Sequence, residues 1–320
     1  MPQVLQMLRL PSAVGTRELP VLTFQADKEG PCVVVTANVH GDEATGVGIV
    51  HALKDQLDGL LLRGQVHLYP SLNPDGLVQR TRTVPADGQD LNRVWPGDAR
   101  GRASERLADS LWQDIRSRNP TLVIDLHADS PAAIPYAIID RVIKSRLRTK
   151  LQPRLESLAA ASGLTVLHEY PKELYVKYGL DRSLSGAITN TLGVPAVTIE
   201  AGPRLYLKPE AVRDGTAAVL GVLTAAGLVN RPATTHPSRI EGGPWRRQSG
   251  PRVSVAGIFH PRVQQGESFR AKDVLAEICA LDGRVLERLN ARIDGVVVSL
   301  PERTWAVPGV SAGTYAVLDT

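Results

Sequence analysis

Aromatic residues are scarce in this chain, at 4% of 320 positions. A core must therefore rest on Val, Leu, Ile and Ala. Cysteine is scarcer: Cys32 and Cys279 are the two thiols. They lie far apart, each inside an apolar strand-like run, so neither a disulfide framework nor a cysteine-type zinc site is expected. Buried free thiols are the expected state. Nowhere do eighteen apolar residues run together, so no helical membrane span is expected. The segment Met1-Pro2-Gln3-Val4 lacks the basic stretch followed by an apolar one that marks a signal peptide, and a cytoplasmic protein is the expectation. Long runs of one charge are also missing. The formal net charge is +4, and the densest basic patches, Lys144–Lys150 and Trp245–Arg247, lack the aromatic interleaving of a nucleic-acid surface. No nucleic acid and no membrane are expected as partners. A mildly positive field around a site for anionic small molecules suits the charge better. The oligomeric state is left open, and a homo-oligomer is compatible with the sequence.

What is present is an alternation of strand and helix patterns. Val33–Asn38, Gln65–Tyr69, Leu122–Leu126 and Ala196–Glu200 read as buried strands. Glu43–Leu57, Ser104–Arg118, Lys150–Ser162 and Pro209–Leu223 carry apolar residues at helical spacing. Such alternation predicts an α/β fold with a mixed, mostly parallel sheet and helices on both faces. Composition shifts near Asn230. The stretch Asn230–Gly250, with several Pro, Gly and Thr residues, reads as a linker, and short β-type runs punctuated by glycine follow it. The expected organisation is a catalytic domain over residues 1–235 and a small all-β module over 236–320.

Three of the strands end on chemically capable side chains: His40, His127 and Glu200. Open α/β sheets place their chemistry at that end. His40-Gly41-Asp42-Glu43 supplies an imidazole and a carboxylate at short spacing, and His127 supplies a second imidazole from another strand. Together they make an open zinc site of two His and one Glu, with room for water. Alone, His40 reads equally as a strand-end histidine and Glu43 as the first-turn acid of a helix; the third residue in the same position favours the metal. His and carboxylate also suit manganese, iron or cobalt. Asp125 or Asp129 is placed to orient a ligand from behind. Glu200 is the candidate base, because a carboxylate closing an apolar strand is costly unless it faces a polar cleft. Asn73-Pro74-Asp75-Gly76 is a strong turn signal. Arg82, Asn92 and Arg93 offer donors suited to an oxyanion or a carboxylate.

In this order, His40-x-x-Glu43, Asn73-Pro74-Asp75-Gly76, Asp90-Leu91-Asn92-Arg93, Asp125-Leu126-His127 and Thr198-x-Glu200-x-Gly202 resemble the motifs of zinc carboxypeptidase-like enzymes. The best resemblance is to their succinylglutamate desuccinylase and aspartoacylase branch. It implies one zinc ion held by His40, Glu43 and His127, with Glu200 as general base and then general acid. Arg82 would contact the substrate carbonyl and its oxyanion, and Asn92 and Arg93 would hold a substrate carboxylate. Tyr178 would take the place of a mobile tyrosine, with Tyr175 as a competitor. The resemblance also implies that the tail, Gly257–Val307, is a half-barrel of the lipoyl or biotinyl-carrier kind. No lysine there sits in an attachment motif, so a structural or gating role is expected of it. One departure concerns the substrate. Aspartoacylases carry an arginine shortly before the catalytic Glu, whereas Ser185–Thr191 has none and Arg182 is out of register.

The expected activity is zinc-dependent hydrolysis of an amide bond in a small carboxylate-bearing substrate, of the N-acyl amino acid deacylase type, through metal-activated water. The alternatives are a metallocarboxypeptidase acting on peptides, which an elongated exposed cleft would favour, and a non-catalytic carboxylate-binding protein of the same fold.

Overall fold

The structure is a computed structural model that describes residues 3–12, 15–232 and 234–320. A hairpin of β1 (Gln3–Ser12) and β2 (Gly15–Gln25) leads into β3 (Cys32–Ala37), α1 (Thr45–Leu60), β4 (Gln65–Tyr69), α2 (Pro74–Gln79), α3 (Ala103–Ser117) and β5 (Leu122–Asp129). Then come β6 (Tyr136–Ile139), α4 (Ser145–Ala160), β7 (Thr165–His168), α5 (Lys172–Lys177), α6 (Leu184–Ala187), β8 (Ala196–Pro203) and α7 (Pro209–Ala225).

The four strands legible in the sequence form the centre of a sheet ordered β2-β4-β3-β5-β8-β6-β7. Pairs β4–β3, β3–β5 and β5–β8 are parallel, and β6 runs antiparallel to β8. Every residue of β3 is buried. That is why its sequence is a continuous apolar run rather than an alternating one: both faces are covered. On one face, Ile49, Val50, Leu53 and Leu57 of α1 meet Val219, Val222 and Leu223 of α7 and the sheet. On the other, Leu107, Leu111, Trp112 and Ile115 of α3 pack with Leu19, Val21, Val34 and Val123. The helices thus cover both faces, as the alternation predicted.

Chain order reverses at β3, whose neighbours β4 and β5 are reached in opposite directions. Such a switch point opens a crevice beyond the carboxyl ends of the strands.

The sequence reading differs from the structure at several boundaries. Helix α1 starts at Thr45, so Glu43 lies in the turn before it rather than in its first turn. Helix α4 starts at Ser145 and runs through Pro153. Strands β1, β2, β6 and β7 were not legible as strands. The expected linker holds β9 (Trp245–Ser249). This strand pairs in parallel with β7 and antiparallel with β16 (Thr314–Leu318).

Between them lie β10 (Gly257–Pro261), β11 (Ser268–Phe269), β12 (Val274–Cys279), β13 (Val285–Asn290), β14 (Gly295–Ser299) and β15 (Trp305–Ala306). Strands β16, β14 and β11 extend the large sheet beyond β9 to twelve strands, and β13-β12-β10-β15 form a second, antiparallel sheet. Cys32 and Cys279 are free and buried. Among the described residues no helix is long and apolar enough to cross a membrane.

Candidate active site

Strand β3 stops where Asn38 takes a left-handed φ of 57°. Asparagine tolerates that conformation because its short polar side chain can bond locally. Here Asn38 Nδ2 donates to the carbonyls of His40, Gly41 and Glu43 at 2.8, 3.0 and 3.2 Å. Ser71 Oγ donates to Asn38 Oδ1 at 2.6 Å. One buried amide therefore shapes the whole His40–Glu43 turn. Gly41 lies so close to α2 that an added Cβ would collide with the backbone of Gly76. Asn73 Oδ1 accepts from Gly76 N at 3.0 Å and starts that helix. The Asn-Pro-Asp-Gly turn thus supports the chemical turn from below.

His40, Glu43 and His127 converge. All three are buried, and one donor atom from each lies within 4.8 Å of the others. His40 Nδ1 is 2.8 Å from Glu43 Oε1, and His127 Nδ1 is 2.8 Å from Glu43 Oε2. The far ring nitrogens are held by carboxylates: His40 Nε2 is 3.2 Å from Asp90 Oδ1, and His127 Nε2 is 3.0 Å from Asp125 Oδ2. Thr36 Oγ1 donates to Asp125 at 2.8 Å. Carboxylate-backed imidazoles are the usual outer shell of a metal ligand, fixing ring orientation and raising basicity. Burial pushes the Glu43 carboxyl up, but His40 and His127 outweigh it and hold it well below the usual carboxylate range. Burial opposes charge on His127, and Asp125 and Glu43 outweigh that in turn. This cluster of opposed charges is a donor set that fits a divalent cation.

Glu200 of β8 pairs in register with His127 of β5. Both line a cavity of about 210 Å³. Burial pushes the Glu200 carboxyl up to about 7, with Glu43 and Asp129 adding to the rise and His127 and Arg247 opposing it. A carboxyl poised near neutrality beside a candidate metal site is placed for proton transfer in either direction.

Arg82, Asn92 and Arg93 also line the cavity. Arg82 is 3.5 Å from Glu43 through Nη1 and 3.2 Å from Asp90 through Nη2. Asn92 is largely committed: its Oδ1 accepts from Leu184 N at 2.7 Å, and its Nδ2 lies 3.4 Å from His127. Arg93 Nη1 donates to the carbonyl of Asn92 at 2.7 Å. Tyr178 is placed elsewhere. It is not in the cavity wall; its ring lies 5.3 Å from that of Tyr170, beside a neighbouring groove formed with Gln248–Arg252. Tyr175 is buried and donates to Asp140 at 2.7 Å.

Sequence reasoning passed over four further residues of this neighbourhood. Asp90 was legible only as part of Asp-Leu-Asn-Arg, and Asn38 only as a residue between a strand and a histidine. Arg247 and Thr314, also in the cavity wall, come from β9 and β16, and no local pattern points from there to the metal residues.

Comparison with known proteins agrees with this fold. A solved succinylglutamate desuccinylase/aspartoacylase from Rhodobacter sphaeroides superposes with a TM-score of 0.82 at 23% identity, covering 98% of this chain and 95% of that one. A metallo-carboxypeptidase from Burkholderia cenocepacia shares the fold at a TM-score of 0.55 and 19% identity, over 70% of this chain and 65% of that one. An N-alpha-acetyl-L-2,4-diaminobutyric acid deacetylase from Halomonas elongata is 33% identical over 128 residues; that match spans 39% of this chain and 37% of the length of that relative. The family model for the succinylglutamate desuccinylase/aspartoacylase catalytic domain matches residues 29–226, more than half of the chain. With His40, Glu43, His127 and Glu200 assembled at the carboxyl ends of its parallel strands, the chain belongs to the succinylglutamate desuccinylase/aspartoacylase family.

Proposed function

We propose that the protein is a metal-dependent deacylase, hydrolysing the amide bond of small N-acyl amino acids. The observation that carries this reading is the small volume of the cavity. Arg247 and Thr314, from the C-terminal strands, stand in the same wall as the His40–Glu43–His127 cluster, around a space of about 210 Å³. A site of that size suits a small molecule and leaves little room for a peptide, so it favours deacylase over carboxypeptidase. The name of the Halomonas elongata relative, a deacetylase of an N-acetyl amino acid, points the same way.

The donor set suits zinc, which, when bound, would act as a Lewis acid toward water and the scissile carbonyl. His40, Glu43 and His127 would hold it, with Asp90 and Asp125 fixing the two imidazoles. Glu200 faces the same space, takes a proton from the attacking water and returns it to the departing amine nitrogen. Arg82 would turn from Glu43 to the developing oxyanion, a short motion for a side chain that is 41% exposed. Arg93 contributes positive charge for a substrate carboxylate. Tyr178 would reach the substrate only by leaving Tyr170.

A hydrolysis screen over N-acyl amino acids and dipeptides, with zinc supplied, tests the proposal. Turnover of N-acyl amino acids with little on dipeptides is expected. Preference for dipeptides would establish the carboxypeptidase reading instead, and bound carboxylates with no turnover would establish the non-catalytic one.

A further inference from the structure

The segment before Glu200 offers no arginine. In its place Ser185 stands in the cavity wall with its hydroxyl 2.9 Å from that of Thr198. A guanidinium reaches the cavity from the opposite side. Arg247 sits in β9, clamped between β7 and β16, where it pairs with Ala316. Its Nη1 donates to Glu169 Oε1 at 3.0 Å, and its charged carbon lies 5.6 Å from the centre of the Tyr170 ring. Its Nε is buried and, among the described residues, has no hydrogen-bond partner. An unpaired buried N–H is unfavourable until an acceptor arrives.

The geometry matters because a guanidinium has two forks. With Nη1 engaged by Glu169, the side-on fork of Nε and Nη2 is left for a ligand, and that fork matches the two oxygens of a carboxylate. Arg93, also in the wall, donates through Nη1 to the Asn92 carbonyl at 2.7 Å. Both terminal nitrogens of Arg82 are engaged with Glu43 and Asp90. Arg204 donates through Nη2 to Glu302 at 2.6 Å, and its Nε too is buried without a partner among the described residues. Burial opposes the charge on Arg247, but Glu169, Tyr170, Tyr136 and Glu200 outweigh it and keep the guanidinium protonated.

We propose that Arg247 is a specificity-determining residue, gripping a substrate carboxylate through its Nε/Nη2 fork and supplying the cation that the segment before Glu200 lacks. The inference rests on the deacylase reading. The carboxylate belongs either to the amino-acid half of the substrate or to a dicarboxylic acyl group.

The test is steady-state kinetics of zinc-loaded wild type, Arg247→Lys and Arg247→Gln. The substrates are an N-acetyl amino acid, its carboxamide and the matching N-succinyl compound. Arg247→Gln should raise KM for the N-acetyl amino acid about tenfold or more, with a smaller change in kcat. The carboxamide, poor for wild type, should be no poorer for the variant. Arg247→Lys, which keeps charge but not the fork, should fall between and guards against loss of fold. A penalty confined to the succinyl compound would assign the fork to the acyl carboxylate. Equal penalties on acid and carboxamide, or a fall in kcat at constant KM, would overturn the proposal. Calorimetric binding of the free amino acid and of succinate to metal-free protein provides a second readout. It separates the two ideas: if wild type hydrolyses nothing, the deacylase reading fails, while weakened binding by Arg247→Gln would still support the fork and unchanged binding would overturn it.

Discussion

In the proposed reaction Glu200 is the residue on which the chemistry turns. Glu200→Gln keeps the shape of the cavity wall but removes the proton acceptor. It should retain metal, measured by elemental analysis, and lose about 10²–10⁴-fold in kcat; near-normal turnover would remove Glu200 from the mechanism. Asp140 makes a prediction of a different kind. Burial pushes its carboxyl up to about 7, with Glu169 adding to the rise and the Tyr175 hydroxyl opposing it. A folded-state value above the unfolded one means that the native protein binds this proton more tightly. The stability linked to it is therefore fully present below the unfolded value and is lost as pH rises toward 7. Asp140→Asn should relieve that loss. In denaturant melts of metal-free protein, its stability relative to wild type should improve by roughly 2–4 kcal/mol between pH 4 and pH 8. A difference independent of pH would show that Asp140 titrates normally.

Among the elements, the turn from β3 into α1 has little slack. Asn38 ties its carbonyls together, and Gly41 lies against the Gly76 backbone of α2. Backbone cannot yield as a long side chain can. Gly41→Ala should therefore destabilise the protein by at least about 2 kcal/mol in a denaturant melt, and weaken metal binding with it. Wild-type values for both would mean that α2 moves aside. His40 and Glu43 in this turn were legible because strand ends announce themselves through a break in an apolar run. The support given by Gly76 was not, because two turns separated by many residues meet only in the folded chain. For the same reason Asn73-Pro74-Asp75-Gly76 was readable as a turn but not as the floor of a site.

For the whole molecule, two outcomes test how the parts depend on one another. Chelation should abolish turnover and lower the thermal midpoint, and zinc should restore both, because a ligand bound only by the native state stabilises it by mass action. Full activity in protein shown to be free of metal would refute the metal-dependent reading. A division at residue 235 is visible in composition, but strand pairing crosses it through β7 and β9. A chain ending at 235 would leave β7 with an open edge, and exposed edges recruit other chains. Aggregation on size-exclusion is the expected result. A monodisperse fragment that binds zinc would show that the first 235 residues fold alone.

The sequence by itself determined the alternation that makes a helix-covered parallel sheet, and it marked His40, His127 and Glu200 as strand-end residues, with Glu43 three residues after the first. Those properties are local: apolar periodicity and a polar interruption can be read in one pass along the chain. Only the tertiary structure decided what surrounds them. Asp90 and Asp125 lie behind the imidazoles, Tyr178 lies outside the cavity wall, and Arg247 and Thr314 line the cavity from a segment that reads as a linker and tail. Trp245–Ser249 has no strand-like apolar alternation, and becomes a strand because β7 and β16 offer it hydrogen-bonding edges. Pairing across such sequence distances leaves no local trace, and in this protein it sets the far wall of the cavity.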